Sequence, residues 1–298
     1  MPTNPLPVSW AVYGTTGYDF LNRVNGLSVD SEAEEIMTRF YADFTGEETD
    51  FSTLVVEKKH LILRQDLGSD VNRLTDLFLQ VCEQHRRHRD YTRNELRGAL
   101  IETAVCMPVY RTYVRAKASQ VSEEDARYVT EAVECAKVNR PDLEGNLFDF
   151  LRDLLLLRFQ GQFETELAMR FQQFTGPVMA KGVEDTAFYC YNRLVSLNEV
   201  GGNPGQFGLS VEAFHQACLE NQHQWPLTML ATSTHDTKRS EDVRARLNVL
   251  SEVPERWFEA VRRWAAMNEQ YRTEEWPDRN TEYLLYQILV GAWPISVE

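Results

Sequence analysis

Positive charge is scarce in this sequence. Thirty-one lysines and arginines face 45 aspartates and glutamates, a formal net charge of −14 over 298 residues. Nucleic-acid binding needs a basic footprint, so the shortage argues against a phosphate backbone as partner. It argues equally against an anionic membrane surface. Cysteines are few and scattered, at positions 82, 106, 135, 190 and 218, with no CxxC and no histidine at zinc spacing. No metal site is expected, and the thiols read as mostly buried groups of a reducing cytosol. No apolar run approaches the roughly 18 residues of a membrane span, and no signal peptide opens the chain. GxGxxG, GK[ST], GxSxG and HExxH are all missing, which removes the common phosphate-loop, hydrolase and zinc-protease readings. The expectation is a cytoplasmic protein that uses no cofactor and takes a neutral ligand such as a sugar.

What is present is mostly helical pattern. "SEAEEIMTRFYADFTG" opens on Ser31 and Glu34 in capping-box spacing, keeps Ile36, Met37, Phe40, Tyr41 and Phe44 on one face, and stops at Gly46. A long helical stretch from about Ser52 to His88 has a possible break at "LGSD". Thr92 with Glu95 and Ser122 with Asp125 announce two more helices. "LFDFLRDLLLLRF" and "SVEAFHQACLE" are two further ones. Strand signals are short and few: "PVYRTYV" (108–114), "PVMA" (177–180) and "LTMLATS" (227–233). The fold class is therefore mostly α with a few short strands.

Two polar clusters stand beside apolar residues. In "LTMLATSTHDTKRSED" the apolar run ends on His235 and Asp236, with Lys238 and Arg239 just behind. A helix starting near Ser240 explains the acids, which its dipole favours, but not the two cations. In "TGPVMAKGVEDTAFY", Lys181, Glu184 and Asp185 read as a loop framed by Gly176 and Gly182. "GTTGYDFLNRVNG" has Thr16 and Asp19 in capping-box spacing, and "NEVGGNPGQFG" reads as a long turn. The two histidines of "HRRHRD" (85–90) read as part of a solvated basic face, without acidic partners at ligand spacing.

The stretches "GTTGYDFLNRVNGL", "PVYRTYV", "GPVMAKGVEDTAFYCYNRLVSLNEVGG", "STHDTKRSEDVRARL" and "YLLYQILVGAWP" together resemble maltooligosyltrehalose synthase, of the α-amylase superfamily. They stand in the family's order and span nearly the whole chain. The resemblance implies an incomplete (β/α)8 barrel portion carrying a large helical insertion. Its divisions would be a barrel segment over 1–29, a mainly helical insertion over 30–170 with a possible barrel strand near 108–114, and a late barrel segment over 171–298.

The implied enzyme is an isomerase. It converts the reducing-end α-1,4 linkage of a maltooligosaccharide to α,α-1,1, the maltooligosyl trehalose step of trehalose biosynthesis. By resemblance Asp236 is a transition-state stabiliser, and His235, Lys238, Lys181, Arg239, Glu184, Asp185, Tyr18 and Asp19 bind substrate. In the superfamily the nucleophilic aspartate and the acid/base glutamate lie on earlier strands. Here Met1 falls just after them and no Arg-x-Asp-His occurs. The expectation is a central-to-late portion of a synthase, truncated at both ends and inactive alone. The alternatives are an HD-type metal phosphohydrolase and a non-catalytic carbohydrate-binding or scaffold remnant.

Overall fold

The structure is a computed structural model, and it describes residues 6–7, 10–47, 50–118, 120–273 and 276–294. Parts of the first and last barrel segments expected from the sequence, residues 1–5, 8–9, 274–275 and 295–298, lie outside the described residues. In chain order the helices are α1 (Tyr18–Leu27), α2 (Glu34–Thr45), α3 (Phe51–Gln65), α4 (Gly68–Gln84), α5 (Arg93–Cys106), α6 (Glu123–Asn139), α7 (Gly145–Leu155) and α8 (Gln162–Met179). A π-helix, Ala180–Ala187, leads into the short α9 (Phe188–Cys190), and α10 (Val211–Gln224), α11 (Glu241–Glu252), α12 (Pro254–Asn268) and α13 (Arg279–Ala292) follow.

The helix boundaries follow local chemistry. Thr92 accepts from the Glu95 backbone N–H while the Glu95 carboxylate accepts from Thr92, a complete capping box. Ser122 caps α6 through the Asp125 N–H. The break before "LGSD" separates α3 from α4. Gly46 closes α2 at φ 75°, a left-handed cap suited to glycine. At the start of α2 the expected Ser31 cap is displaced: Asp30 caps a 3-10 turn over Ser31–Ala33, and α2 begins behind it.

No strand forms among the described residues; the one bridge joins Arg115 to Gln120. "PVYRTYV" opens on a bend over 108–110 and runs on without regular structure or a ladder. Its Tyr113 and Val114 N–H groups donate to the Asp125 and Gln172 side chains, not to a neighbouring strand. "PVMA" is helical: Phe171, Phe174 and Val178 continue the buried face of α8 through Pro177. "LTMLATS" is irregular too, with Leu227 in a turn closed by the Thr228 N–H on the Trp225 carbonyl at 2.9 Å. Its backbone meets the chain near Thr15 through one Met229 N–H to Thr15 carbonyl bond, and Leu227, Met229 and Leu230 remain exposed. Mostly α holds; the short strands do not.

The chain divides into two compact units, one formed by residues 3–54 with 187–298 and the other by 55–186. In the second, α5 is buried almost all round, through Leu96, Ala99, Leu100, Ile101, Thr103, Ala104 and Val105. Such a helix is a core element, and α4, α6, α7 and α8 pack on it. Phe78, Phe148, Leu151, Leu154 and Leu167 fill the same core with almost no exposure. Each such side chain stabilises the fold by roughly 1.5–3 kcal/mol through burial.

Cys106 and Cys135 join α5 to α6 as a disulfide, which corrects the expectation of free thiols at those two positions; Cys82, Cys190 and Cys218 are free. The histidines at 85 and 88 are corrected too. His85 ends α4 and its Nε2 lies 2.8 Å from the buried Glu164, a partner that α8 supplies across 79 residues of sequence. His88 stacks on Phe150 at 3.8 Å between ring centroids, so neither ring belongs to a solvated face.

The first unit is built on aromatic packing. Phe40 stacks on Phe258 at 3.9 Å, and Trp257 donates its indole N–H to the fully buried Tyr283 hydroxyl at 2.9 Å. At Gly291 a Cβ would meet the Val243 side chain at 2.9 Å, so glycine lets α13 come close to α11. That contact fixes the start of α11, the helix which leaves the His235-Asp236 stretch.

Candidate functional site

In the first unit the site is a polar turn between an irregular apolar stretch and α11. The Thr237 hydroxyl donates to the Thr234 carbonyl at 2.8 Å, and the Asp236 N–H donates to the Thr234 hydroxyl at 3.2 Å. Hydroxyl-to-backbone bonds of this kind substitute for helix or ladder bonds and hold a tight turn. The turn presents His235 and Asp236 to solvent, with side chains 89% and 61% exposed.

These two residues lie 3.3 Å apart, Nε2 to Oδ2. The Tyr18 hydroxyl donates to the same Asp236 oxygen at 3.3 Å and lies 3.1 Å from the Thr234 hydroxyl. Tyr18 arrives there because "GTTG" runs against residues 228–231. At Gly17, with φ 93°, a Cβ would sit 2.7 Å from the Ala231 nitrogen, so both the conformation and the approach require glycine. Asp19, its neighbour, accepts from the Thr15 hydroxyl and pairs with Arg23 at 3.2 Å. Tyr18, His235 and Asp236 thus form one cluster. Asp19 is held within α1 and the segment before it.

Lys238 and Arg239, the cations that a helix start leaves unexplained, are anchored through their backbone. The Lys238 N–H donates to Glu199 Oε1 at 2.7 Å and the Arg239 N–H to Glu199 Oε2 at 3.2 Å. The Lys238 ammonium stands over the Tyr189 ring, 5.5 Å from its centroid. The Arg239 guanidinium turns inward to the Val195 carbonyl at 3.1 Å. Burial lowers its pKa from the usual arginine value, and the charge of Glu199 works the other way.

Glu199 is the residue that the sequence reading missed. It is 1% exposed, and besides these two N–H groups it accepts from Val200 and from Arg244, itself 3% exposed, at 3.1 Å. Arg244 also donates to the Arg239 carbonyl at 2.8 Å and to the Thr232 carbonyl. One buried ion pair therefore holds residues 232–239 near both ends. The signal was available: Arg244 shares a helix face with Leu247, Asn248 and Ser251, all buried. An arginine on a core face needs a carboxylate.

In the second unit the expected loop at Lys181, Glu184 and Asp185 is the π-helix. The Lys181 ammonium pairs with Asp185 at 2.6 Å, and the Thr186 hydroxyl donates back to the Lys181 carbonyl at 2.8 Å. Glu184 accepts from the Tyr110 hydroxyl. Burial pushes that phenol well above its usual value, and the Glu184 charge and hydrogen bond add to the effect. Gly182 lies on Lys59, where a Cβ would meet Lys59 Cα at 3.0 Å. π-Helical turns are rare and recur at functional sites.

Chemically, the Asp236 cluster offers a solvent-facing carboxylate with an imidazole and a phenol beside it. A carboxylate of this kind can accept from two adjacent hydroxyls, and the two rings supply a donor or an acceptor each. Among the described residues no group of three or more His, Cys, Asp or Glu is placed to hold a metal ion.

No family model matches the sequence. A curated protein of Mycobacterium tuberculosis H37Rv, assigned as a maltooligosyl trehalose synthase, is 32% identical over 295 residues, 98% of this chain and 34% of that protein. Among solved structures, the maltooligosyltrehalose synthase from Arthrobacter ramosus is similar with a TM-score of 0.82 and 34% identity, covering 99% of this chain and 35% of that one. The DSM5389 glycosyltrehalose synthase is similar with a TM-score of 0.73 and 35% identity over 98% of this chain and 33% of its own. The chain spans about a third of the length of the relatives it matches.

Proposed function

Starting from the homology of this chain to maltooligosyltrehalose synthases over about a third of their length, we propose that it supplies part of the sugar-handling surface of an intramolecular transglucosylase. The substrate is a maltooligosaccharide, and the reaction moves its reducing-end α-1,4 linkage to α,α-1,1. The observation that carries this reading is the exposed Tyr18–Asp236–His235 cluster, set on a turn that the buried Glu199–Arg244 pair holds in place.

Such a reaction keeps the anomeric configuration through two displacements, with one carboxylate attacking carbon and another carboxyl protonating the leaving oxygen. Asp236 does neither. It grips two hydroxyls of the donor glucose and favours the distorted, oxocarbenium-like sugar, with His235 on the same ring. A charge-assisted hydrogen bond of this sort contributes roughly 1.5–3 kcal/mol. Lys238, Arg239 and Tyr18 complete this part of the surface, with Asp19 supporting it through α1. Lys181, Glu184 and Asp185, on their π-helix, are further candidates for sugar binding.

The nucleophile and the acid/base are not supplied by this chain, so it binds sugar but does not turn it over alone. In the same reading 227–233 would become a strand only beside ladder partners from the rest of a synthase, which is compatible with an apolar, exposed and unladdered stretch leading into the site.

Isothermal titration of maltopentaose into the purified chain, with Asp236→Ala beside it, tests the proposal. The expected result is saturable binding weakened about tenfold or more by the substitution, the worth of one charge-assisted bond, with no trehalose-forming turnover in either protein. Binding unaffected by the substitution contradicts the role of Asp236. Turnover above the Asp236→Ala control contradicts the missing machinery.

A further inference from the structure

Away from the sugar-handling residues, the unit of residues 55–186 carries an open groove of about 730 Å³ between α3, α5 and the end of α6. Its walls include Arg64, Arg97, Arg140 and His60, with Glu102 and Asn139 at its base. Three guanidinium groups around one concavity are unexpected in a chain of net charge −14.

Their donors are unevenly spent. Arg140 binds Asp142 through two bonds of 2.8 and 2.7 Å. Arg64 uses only Nε, on the His60 carbonyl of its own helix, at 3.2 Å. Arg97 makes no hydrogen bond or ion pair among the described residues. Two arginines therefore line the groove with their terminal N–H groups uncommitted to protein.

The single carboxylate in the lining is charged, but it is committed to the protein and outnumbered by three guanidinium groups. Glu102 is 4% exposed, and both its oxygens are engaged, one by Asn139 at 2.8 Å and one by His60 at 3.4 Å. Burial would raise its pKa, but the hydrogen bonds from His60 and Asn139 and the charges of His60 and Arg140 prevail and lower it. Gly98 lets Arg140 lie across α5, since a Cβ there would meet the Arg140 guanidinium at 2.9 Å. Val56 and Ile101 give the groove an apolar side.

We infer that this groove is a binding site for a small phosphate ester, with Arg97 and Arg64 forking the phosphate oxygens and the carbon skeleton lying along Val56 and Ile101. Planar guanidinium groups match phosphate in two-bond geometry. The groove volume falls within the range of small-molecule sites. This site is independent of the maltooligosaccharide reading: its residues belong to none of the motifs that carry it.

The test is titration of inorganic phosphate and, separately, glucose 6-phosphate into the whole chain. Arg97→Gln, the double variant Arg64→Gln/Arg97→Gln, and Arg170→Gln as a surface control are run in parallel. Because Arg97 has no protein partner among the described residues, its loss leaves none of them buried and unpaired, and thermal unfolding checks that the variants remain folded. The expected result is saturable binding of both probes, tighter for the ester, weakened about tenfold by Arg97→Gln and further by the double variant, and unchanged in Arg170→Gln. Absence of saturable binding by either probe overturns the proposal. So does binding that Arg170→Gln weakens as much as Arg97→Gln, which would mark diffuse attraction to surface charge.

Discussion

Lys59 is 3% exposed within α3, and its ammonium donates to the Val105 and Met107 carbonyls at 3.0 and 3.1 Å. Those carbonyls end α5, where a cation is favoured by the helix dipole. Burial nonetheless lowers the amine from 10.5 to about 8. Below the lower value both folded and unfolded chains hold the proton and the whole cost of burying the charge is present. Between about pH 8 and the ordinary lysine value the folded chain gives up its proton first, so the unfolded chain binds more protons and stability rises with pH. The rise amounts to about 2–3 kcal/mol by about pH 10. Beyond that the buried Tyr41 and Tyr283 phenols, raised by burial, remove stability as unfolded phenols ionise. Urea unfolding at intervals over that window should show the parent chain gaining stability relative to Lys59→Met as pH rises, both proteins carrying the opposing loss from the buried Cys82 thiol, which burial pushes up to about 12. Parallel curves would mean that Lys59 is not held as a buried charge. The position was legible after the fact, since Lys59 precedes the buried Ile62 and Leu63 by three and four residues. "EKKH" reads as a solvated run because a single sequence does not say which of two adjacent lysines faces inward.

At the scale of elements, the irregular stretch before α11 depends on the Glu199–Arg244 pair more than on its own backbone. Removing one partner of a buried pair strands the other, at a cost of about 3–5 kcal/mol. Arg244→Ala should therefore lower stability by about that amount in urea unfolding, and it should weaken maltopentaose binding together with it. Glu199→Gln keeps the shape and the acceptor toward one backbone N–H but leaves Arg244 unpaired, so it also destabilises. A change below about 1 kcal/mol in both variants would show that the pair is exposed to water.

Helix starts were readable because they rest on contacts three residues apart: Thr92 with Glu95, Ser122 with Asp125, and Gly46 at an end. The stretches expected as strands failed for a different reason. Their β-branched and aromatic content describes a preference for a pleated neighbour, and that preference counts only where a neighbour exists. At 113–114 the backbone donors go to the side chains of Asp125 and Gln172 instead. At 177–180 the helical face begun at Leu167 runs on through proline. The π-helix was unreadable because its one-residue register change leaves no compositional mark.

For the molecule as a whole, the largest apolar core lies entirely within residues 63–178, inside one continuous run of chain. A polypeptide of residues 55–186 alone should fold, with a helical circular-dichroism spectrum and a cooperative melt. A featureless spectrum, or a melt without a transition, would mean that this core needs the remainder of the chain. The charge balance could be read from sequence alone, since net charge is independent of fold. The motif resemblance was legible across the whole length, and the homology at 32–35% identity agrees with it. The buried links, Glu199 to Arg244 and Glu164 to His85, join residues 45 and 79 apart in sequence, beyond the reach of any local pattern.

The Cys106–Cys135 disulfide has a consequence in chain topology. It closes a covalent ring between residues 29 apart, and the ring contains the exposed turn carrying Arg115, Lys117, Ala118 and Gln120, where a protease finds purchase. One cut inside that ring opens a circle without parting the chain. The α5 and α6 faces stay tethered, and the two halves separate only after reduction.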